Sequence, residues 1–178
     1  MTTFRDSIYV SLGGNLGNVP HTLTQAIRKL CTLDWVKKTA VSRCYMTSPV
    51  GVRRQPWFYN VCVRLDPVYE GDPVKMLMDF QRIESQLGRY RTRQKAGAPR
   101  PIDIDFLLWG HRVINRFAYP SLILPHPRMA TRAFVLAPLA ELLDGQTIIP
   151  GHRQMINELL VRSLSDPKQK ICVLPQAI

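Results

Sequence analysis

Two carboxylates stand where an apolar strand would be expected to carry none. In GAPRPIDIDFLLWG, residues 97–110, hydrophobic residues flank both Asp103 and Asp105. Successive strand side chains point to opposite faces, so Ile102, Ile104, Phe106 and Leu108 are expected on one face, with Asp103, Asp105, Leu107 and Trp109 on the other. Two like charges about 7 Å apart on such a strand call for a cation. A hard divalent metal bound through carboxylate oxygens would satisfy them. So would arginine, in ion pairs worth about 0–1 kcal/mol each if exposed. Spacing alone does not choose between the two.

Three further stretches could take part in the same chemistry. The loop RYRTRQKAGAPRP, residues 89–101, carries Arg89, Arg91, Arg93, Lys95 and Arg100 and no aliphatic side chain larger than alanine or proline. Guanidinium forks suit phosphate oxygens, although a solvated basic loop or a nucleic-acid contact would have the same composition. Next, LPHPRMATRAFVLAPL places His126, Arg128 and Arg132 just before an apolar segment containing Phe134. A lone histidine among prolines is more often structural, and with no second histidine at ligand spacing a zinc site is not expected. Finally, GGNLGN at residues 13–18 fits neither a GxGxxG fingerprint nor a Walker loop, so it reads as a structural turn whose glycines admit a close neighbour.

The elements that must position these residues follow from periodicity. IYVSL, residues 8–12, is a short buried strand that ends at the glycine turn. A helix is expected over 19–32, capped by Asn18, with Pro20 in its first turn and Leu23, Ala26, Ile27 and Leu30 as its core stripe. Residues 35–46 and 58–66 read as strands, the second with Tyr59, Val61, Val63 and Leu65 alternating against Phe58, Asn60 and Cys62. Asp72 and Pro73 open a second helix with a stripe of Met76, Phe80, Ile83 and Leu87, closed by Gly88. After the aspartate strand come a hairpin-like piece around HRVIN and helices near 132–143 and 153–162. The order βαββαβ suits an α+β, ferredoxin-like sandwich with extra C-terminal helices, in a single domain over residues 1–178.

Composition narrows the classes. The 178 residues suffice for a core without disulfides, and no run reaches the roughly 20 apolar residues of a membrane span. With no signal-peptide pattern at the N-terminus, a soluble cytoplasmic protein is expected. The four cysteines form no CxxC pair and read as reduced core residues. A net charge of +11 asks for a polyanionic partner, and nucleic acid, acidic lipid and nucleotide polyphosphate all qualify. The RNP pattern of sheet-based RNA binders is absent, and Tyr90 alone among the basic loop's residues could stack on a base.

Taken in order, SLGGNLGN, SPVGVRRQPWFYNVCVRL, IESQLGR, PRPIDIDFLLWG and LPHPRMATRAFVLAPL resemble the 6-hydroxymethyl-7,8-dihydropterin pyrophosphokinases, over about residues 8 to 145. The resemblance implies transfer of a pyrophosphoryl group from ATP to the hydroxymethyl of a reduced pterin, releasing AMP, in folate biosynthesis. It implies two Mg²⁺ ions on Asp103 and Asp105 and a transferred group steadied by Arg89 and Arg100. Gln81, Glu84, Arg91, Lys95, Phe106, His126 and Arg132 join those arginines around ATP. Thr47, Val50, Phe58, Asn60 and Phe134 take the pterin, with Asn60 reading its edge and the two phenylalanines stacking on the ring. The implied substrates are these two small molecules, with no nucleic acid and no membrane. A monomer is expected, with dihydropteroate synthase as a functional neighbour. Loops 48–57 and 89–101 are expected to order when both substrates bind. The chain departs from the family in AGAPR, which has an extra residue and lacks the usual bulky one, and at Ala130 and Thr131, where histidine or an acid is common.

Overall fold

The computed structural model describes residues 7–49, 54–90 and 97–175. Val50, Arg91, Arg93 and Lys95, and with them parts of both expected closing loops, lie outside the described residues.

A run that is apolar on both faces belongs in the middle of a sheet. Strand β1 (Ile8–Gly14) is buried along its whole length, between β4 (Phe58–Pro67) and β5 (Asp103–Trp109), antiparallel to both. Gly13 and Gly14 continue the strand, so the turn begins later than their sequence suggests, at Asn15. They are needed for closeness: a Cβ on Gly13 would lie 2.6 Å from Asn60 Oδ1, and one on Gly14 would lie 2.3 Å from the Pro101 carbonyl oxygen. The group admitted by these glycines is thus the protein's own chain. Asn15 and Leu16 donate backbone N–H groups to the Arg100 carbonyl, and the Asn15 side chain accepts from Arg100 N and donates to Gln55 and Pro56. The clasp fixes the bases of both loops that flank the carboxylates. Because the Pro101 carbonyl is backbone and cannot rotate away, Gly14→Ala is expected to cost about 3 kcal/mol, read as a lowered urea midpoint at unchanged m value.

Helices α1 (Val19–Cys31) and α2 (Pro73–Gln86) cover one sheet face. They start as expected, with Asn18 Oδ1 accepting from His21 N and Asp72 Oδ1 from Val74 N. Leu23, Ala26, Leu30, Met76, Phe80 and Ile83 bury against Val10, Leu12, Val61, Val63 and Leu65. Helices α3 (Ala133–Ala140) and α4 (Ile156–Leu164) cover the other face, where Val135, Leu136, Leu139 and Leu159 meet Tyr9, Cys62 and Leu108.

The expected strand over 35–46 is two strands, β2 (Val36–Val41) and β3 (Tyr45–Thr47), lying end to end along β4. The break has a cause: Arg43 turns its N–H out of the sheet to the Glu141 carboxylate, and Cys44 gives its carbonyl to Leu174 N. The hairpin around HRVIN is β6 (Ile114–Arg116) paired with β7 (Leu122–Leu124). A last strand, β8 (Ile171–Val173), which three residues of pattern could not announce, pairs with β3. The result is a mixed fold with a six-stranded antiparallel sheet, a small hairpin and, among the described residues, four α-helices. None of those helices is long and apolar enough to cross a membrane.

Two expectations are corrected. Strict alternation along β5 fails because the register shifts where Tyr9 faces Leu108 and Val10 faces Phe106. Leu107 is the extra residue of that bulge, so Leu107 and Leu108 both pack toward α3 while Trp109 returns to the α1 and α2 side. The aspartates lie before the bulge and keep their shared face. All four cysteines are free, but Cys31 and Cys172 are exposed; Cys44 and Cys62 are core, and burial pushes the Cys44 thiol up to about 11.

Candidate active site

Register brings the chemistry to one end of the sheet. Gly13 faces Asn60 on one side and Asp103 on the other, and Ser11 faces Asp105, so the central strand offers only small residues between β4 and β5. The start of helix α3 reaches that end with Arg132 and Phe134. A cavity of about 380 Å³ opens there, and its walls bring together Thr47, Phe58, Asn60, Arg89, Arg100, Asp103, Asp105, Arg132 and Phe134. These come from five separate stretches of chain.

The carboxylates are already in electrostatic use. Arg89 Nη1 contacts Asp103 Oδ1 and lies 2.6 Å from Glu84 Oε1, while Arg100 Nε lies 2.8 Å from Asp103 Oδ2. The second contact is an ion pair by distance but not an aligned hydrogen bond, for Arg100 Nε is buried without a hydrogen-bond partner, as is Arg89 Nε. Burial opposes the Arg89 charge, but Asp103, Glu84 and Asp105 outweigh it and raise its pKa. Asp105 has less help. Among the described residues its nearest guanidinium, on Arg132, is 4.0 Å away. Burial and then Asp103 raise its pKa, against the pull of His126, Arg132 and Arg100. A carboxylate held against its own charge, two buried guanidinium N–H groups without partners and a donor set of hard oxygens fit a hard cation bound together with a phosphate. Among the described residues no cluster of three or more His, Cys, Asp or Glu side chains could hold a metal unaided. The remaining ligands would have to come from substrate.

Glu84 has a different position from its sequence-based one. It lines neither this cavity nor the next; fully buried, it accepts from Ile104 N at 2.7 Å and from Arg89, tying α2 to β5. It therefore sets where Arg89 stands.

On the outer side of β5 a second cavity of about 520 Å³ shares Asp105 with the first. Gln81 and Leu77 of α2 form one wall, the hairpin and His126 another, with Phe106 between them. The Phe106 ring is buried in the core, so only its backbone faces the slot. Because Ile104 N points away from β1 to Glu84, the period of two turns the Phe106 N–H and C=O to that free edge as well. The bulged Leu107 gives its carbonyl to His126 N, which anchors the histidine. Burial lowers the His126 pKa, with Arg132 and Arg128 assisting against Asp105, and its Nδ1 accepts from Arg128 N at 3.2 Å.

Opposite lie the flat-ring residues. Asn60 is buried and donates to Thr47 Oγ1 at 2.8 Å, which fixes its carboxamide plane. Arg100 sits over the Phe58 ring at 5.1 Å and Arg132 over Phe134 at 5.4 Å, so each ring presents a face to a polar cavity. Sequence reasoning assigned no role to Ser11, Gln55 or Arg128, which also line this cavity. Arg128 stood in a quoted motif; Ser11 becomes visible only through its register with Asp105. A larger open depression of about 960 Å³ lies around Trp35, Tyr69 and Lys75, and three of its carboxylates are occupied, Asp72 in capping α2, Asp79 by Trp35 and Arg82, and Glu70 by Arg112.

Known proteins fit this arrangement. A sequence model of 7,8-dihydro-6-hydroxymethylpterin-pyrophosphokinase (HPPK) matches residues 9–144. The chain is 41% identical over 134 residues to the Bacillus subtilis 2-amino-4-hydroxy-6-hydroxymethyldihydropteridine pyrophosphokinase, covering 75% of this chain and 76% of that one. It is 32% identical over 160 residues to the Haemophilus influenzae protein of the same name, covering 90% and 94%. It also matches the Pneumocystis carinii folic acid synthesis protein fol1 at 36% identity over 82% of this chain, but spans only 18% of that longer protein. The fold superposes on the Plasmodium falciparum HPPK-DHPS structure with a TM-score of 0.70 at 14% identity, over 90% of this chain and 44% of that one. On the family match and the bacterial relatives together, the chain belongs to the 7,8-dihydro-6-hydroxymethylpterin-pyrophosphokinases, transferases of folate biosynthesis.

Proposed function

We propose that the two cavities hold the two substrates, a reduced pterin in the inner one and ATP in the outer one, with the reacting phosphorus beside Asp103 and Asp105. The observation that carries this reading is the shared wall: Asp105 belongs to both cavities, so a group passing between them must pass the carboxylates. The ferredoxin-like βαββαβ arrangement, over one domain of residues 1–178, finds support in the order β5, β1, β4 and then β2 with β3.

In this reading the Asn60 carboxamide meets the donor and acceptor edge of the pterin, and Phe58 and Phe134 take its faces. The Phe106 backbone edge and Gln81 meet the nucleobase, and His126 and Arg132 lie along the phosphates. Asp103 and Asp105 would hold two Mg²⁺ ions, which would supply charge neutralisation for the phosphates. Arg89 and Arg100, whose Nε atoms have no hydrogen-bond partner, turn from Asp103 to the transferring group. Glu84 holds Arg89 on the inner side while it does so. The pterin hydroxyl oxygen attacks the β-phosphorus, the bond from that phosphorus to the bridging α-phosphate oxygen breaks, AMP leaves, and the hydroxyl proton is released to water. Arg91, Lys95 and Val50 are assigned to the same surroundings on sequence resemblance. A monomer in the cytoplasm is assigned on sequence resemblance, and dihydropteroate synthase as a functional neighbour is supported by the HPPK-DHPS protein of Plasmodium falciparum.

The net charge of +11 raises the alternative of an RNA-binding sheet. Such sheets stack bases on an open face. Here α1 and α2 cover one face and α3 and α4 the other.

Incubation with Mg-ATP and the hydroxymethyl dihydropterin tests the proposal. AMP in step with pterin pyrophosphate supports it, and ADP would mean an ordinary kinase. Asn60→Ala should raise KM for the pterin about 10- to 100-fold while KM for ATP holds within a factor of two or so. A parallel rise in both constants would remove Asn60 from the pterin edge.

A further inference from the structure

The hairpin β6–β7 carries the chain past the free edge of β5. Between its strands stands Tyr119, whose surface is 94% exposed. Among the described residues no hydrogen bond, ion pair or ring contact holds it, yet it lines the outer cavity with Leu77, Gln81, Phe106 and Ile123. An aromatic ring left in water at the mouth of a slot is apolar area without a partner.

The edge of β5 says how a flat ligand would sit. A base that hydrogen-bonds to the Phe106 N–H and C=O extends the sheet in its own plane, so its two faces turn toward the two walls. One wall is α2, with Leu77. The other is the hairpin, with Ile123 and, at the rim, Tyr119. We propose that Tyr119 is a nucleobase-specificity residue of this chain, its ring closing over the outward face of the purine of bound ATP. The proposal rests on the assignment of the outer cavity to ATP and adds to it the residue that grades the base. Stacking acts through overlap and not through hydrogen-bond pattern, so it favours the larger purine surface over a pyrimidine.

Isothermal titration with Mg²⁺ and the α,β-methylene analogues of ATP and CTP, alongside inorganic tripolyphosphate, separates base from phosphate binding. Tyr119→Ala should weaken the ATP analogue about 5- to 100-fold, the range of one base stacked on one ring, and should narrow the preference over the CTP analogue. Tripolyphosphate affinity should be unchanged. Tyr119→Phe and Tyr119→Trp should keep the preference, and in turnover the Ala variant should show its loss in KM for ATP. The proposal is overturned if Tyr119→Ala binds the ATP analogue within twofold of wild type, or if it loses tripolyphosphate equally, which would mean a disturbed phosphate site. Wild-type protein that binds neither analogue and forms no AMP would sink the assignment of the cavity itself. Wild-type AMP formation with an unaffected Ala variant would sink the role of Tyr119 alone.

Discussion

Asp103→Asn and Asp105→Asn should each lower AMP formation about 10³-fold or more, because in the proposed reading each removes one charged metal ligand from a step whose barrier is set by charge on the phosphates. Side-chain volume barely changes, so the fold should survive, which circular dichroism checks. The two variants should then part company in the metal-free protein. Asp103 is paired with both Arg89 and Arg100, so its loss leaves Arg100 without its carboxylate and Arg89 with Glu84 alone. Asp103→Asn should therefore lower Tm in EDTA. Asp105 is different: burial and Asp103 raise its pKa, so its charged form is the disfavoured one in the fold. A carboxyl with a raised folded pKa contributes stability at low pH that is lost as pH climbs, and at neutral pH its charge is a burden. Asp105→Asn should thus raise Tm in EDTA, by the equivalent of about 0.5–2 kcal/mol, as relief of strained functional groups commonly does. The same shift has a binding consequence. Protons compete with Mg²⁺ for Asp105, so Mg²⁺ affinity should begin to fall, on lowering pH, above the ordinary aspartate range of about 4. A folded Asp105→Asn variant near wild-type rate would end the metal assignment, and equal Tm losses in both variants would end the proposed difference between them.

The parts of this site that could be read in the sequence share a physical character: they depend on residue type and short spacing. Asp103 and Asp105 sit two apart on a strand, and period two puts them on one face whatever the rest of the chain does. Asn18 and Asp72 cap their helices through contacts three and two residues away. What could not be read depends on contacts between distant segments. The register shift at Leu107 is invisible in FLLW, where every residue is apolar, yet it decides which side Leu108 takes and supplies the carbonyl that anchors His126. Glu84 sits three residues after Gln81 on α2 and looks like a second nucleotide contact; only the position of β5 makes it the buried acceptor of Ile104 N. Gly13 and Gly14 read as a turn because glycine usually marks one. Their neighbours, Asn60 and Pro101, are far off in sequence.

Arg89→Ala and Arg100→Ala are the substitutions that separate a transferase from a nucleic-acid binder, and each should cut kcat about 10³-fold while changing ATP affinity much less. Arg89 and Arg100 begin on Asp103, each with an Nε that makes no aligned hydrogen bond. In the proposed reading their full set of donors finds acceptors only when the transferring group arrives, which assigns their contribution to the transition state more than to bound ATP. Arginines that stabilise phosphoryl transfer in this way are worth about 10³–10⁵ in rate. Lysine should rescue poorly at either position, because a point charge cannot bridge Glu84 and a phosphate oxygen as the Arg89 fork can. If the basic residues instead followed a nucleic-acid backbone, the two alanine variants would lower oligonucleotide affinity and flatten its salt dependence by about one unit of slope per lost contact. The two faces of the sheet, each covered by a helix pair, leave no open platform for such a strand. Oligonucleotide binding should accordingly be weak in the wild type and lost by moderate salt. Tight RNA binding that both alanine variants weaken, with no AMP formed under any pterin condition, would reverse the choice of class.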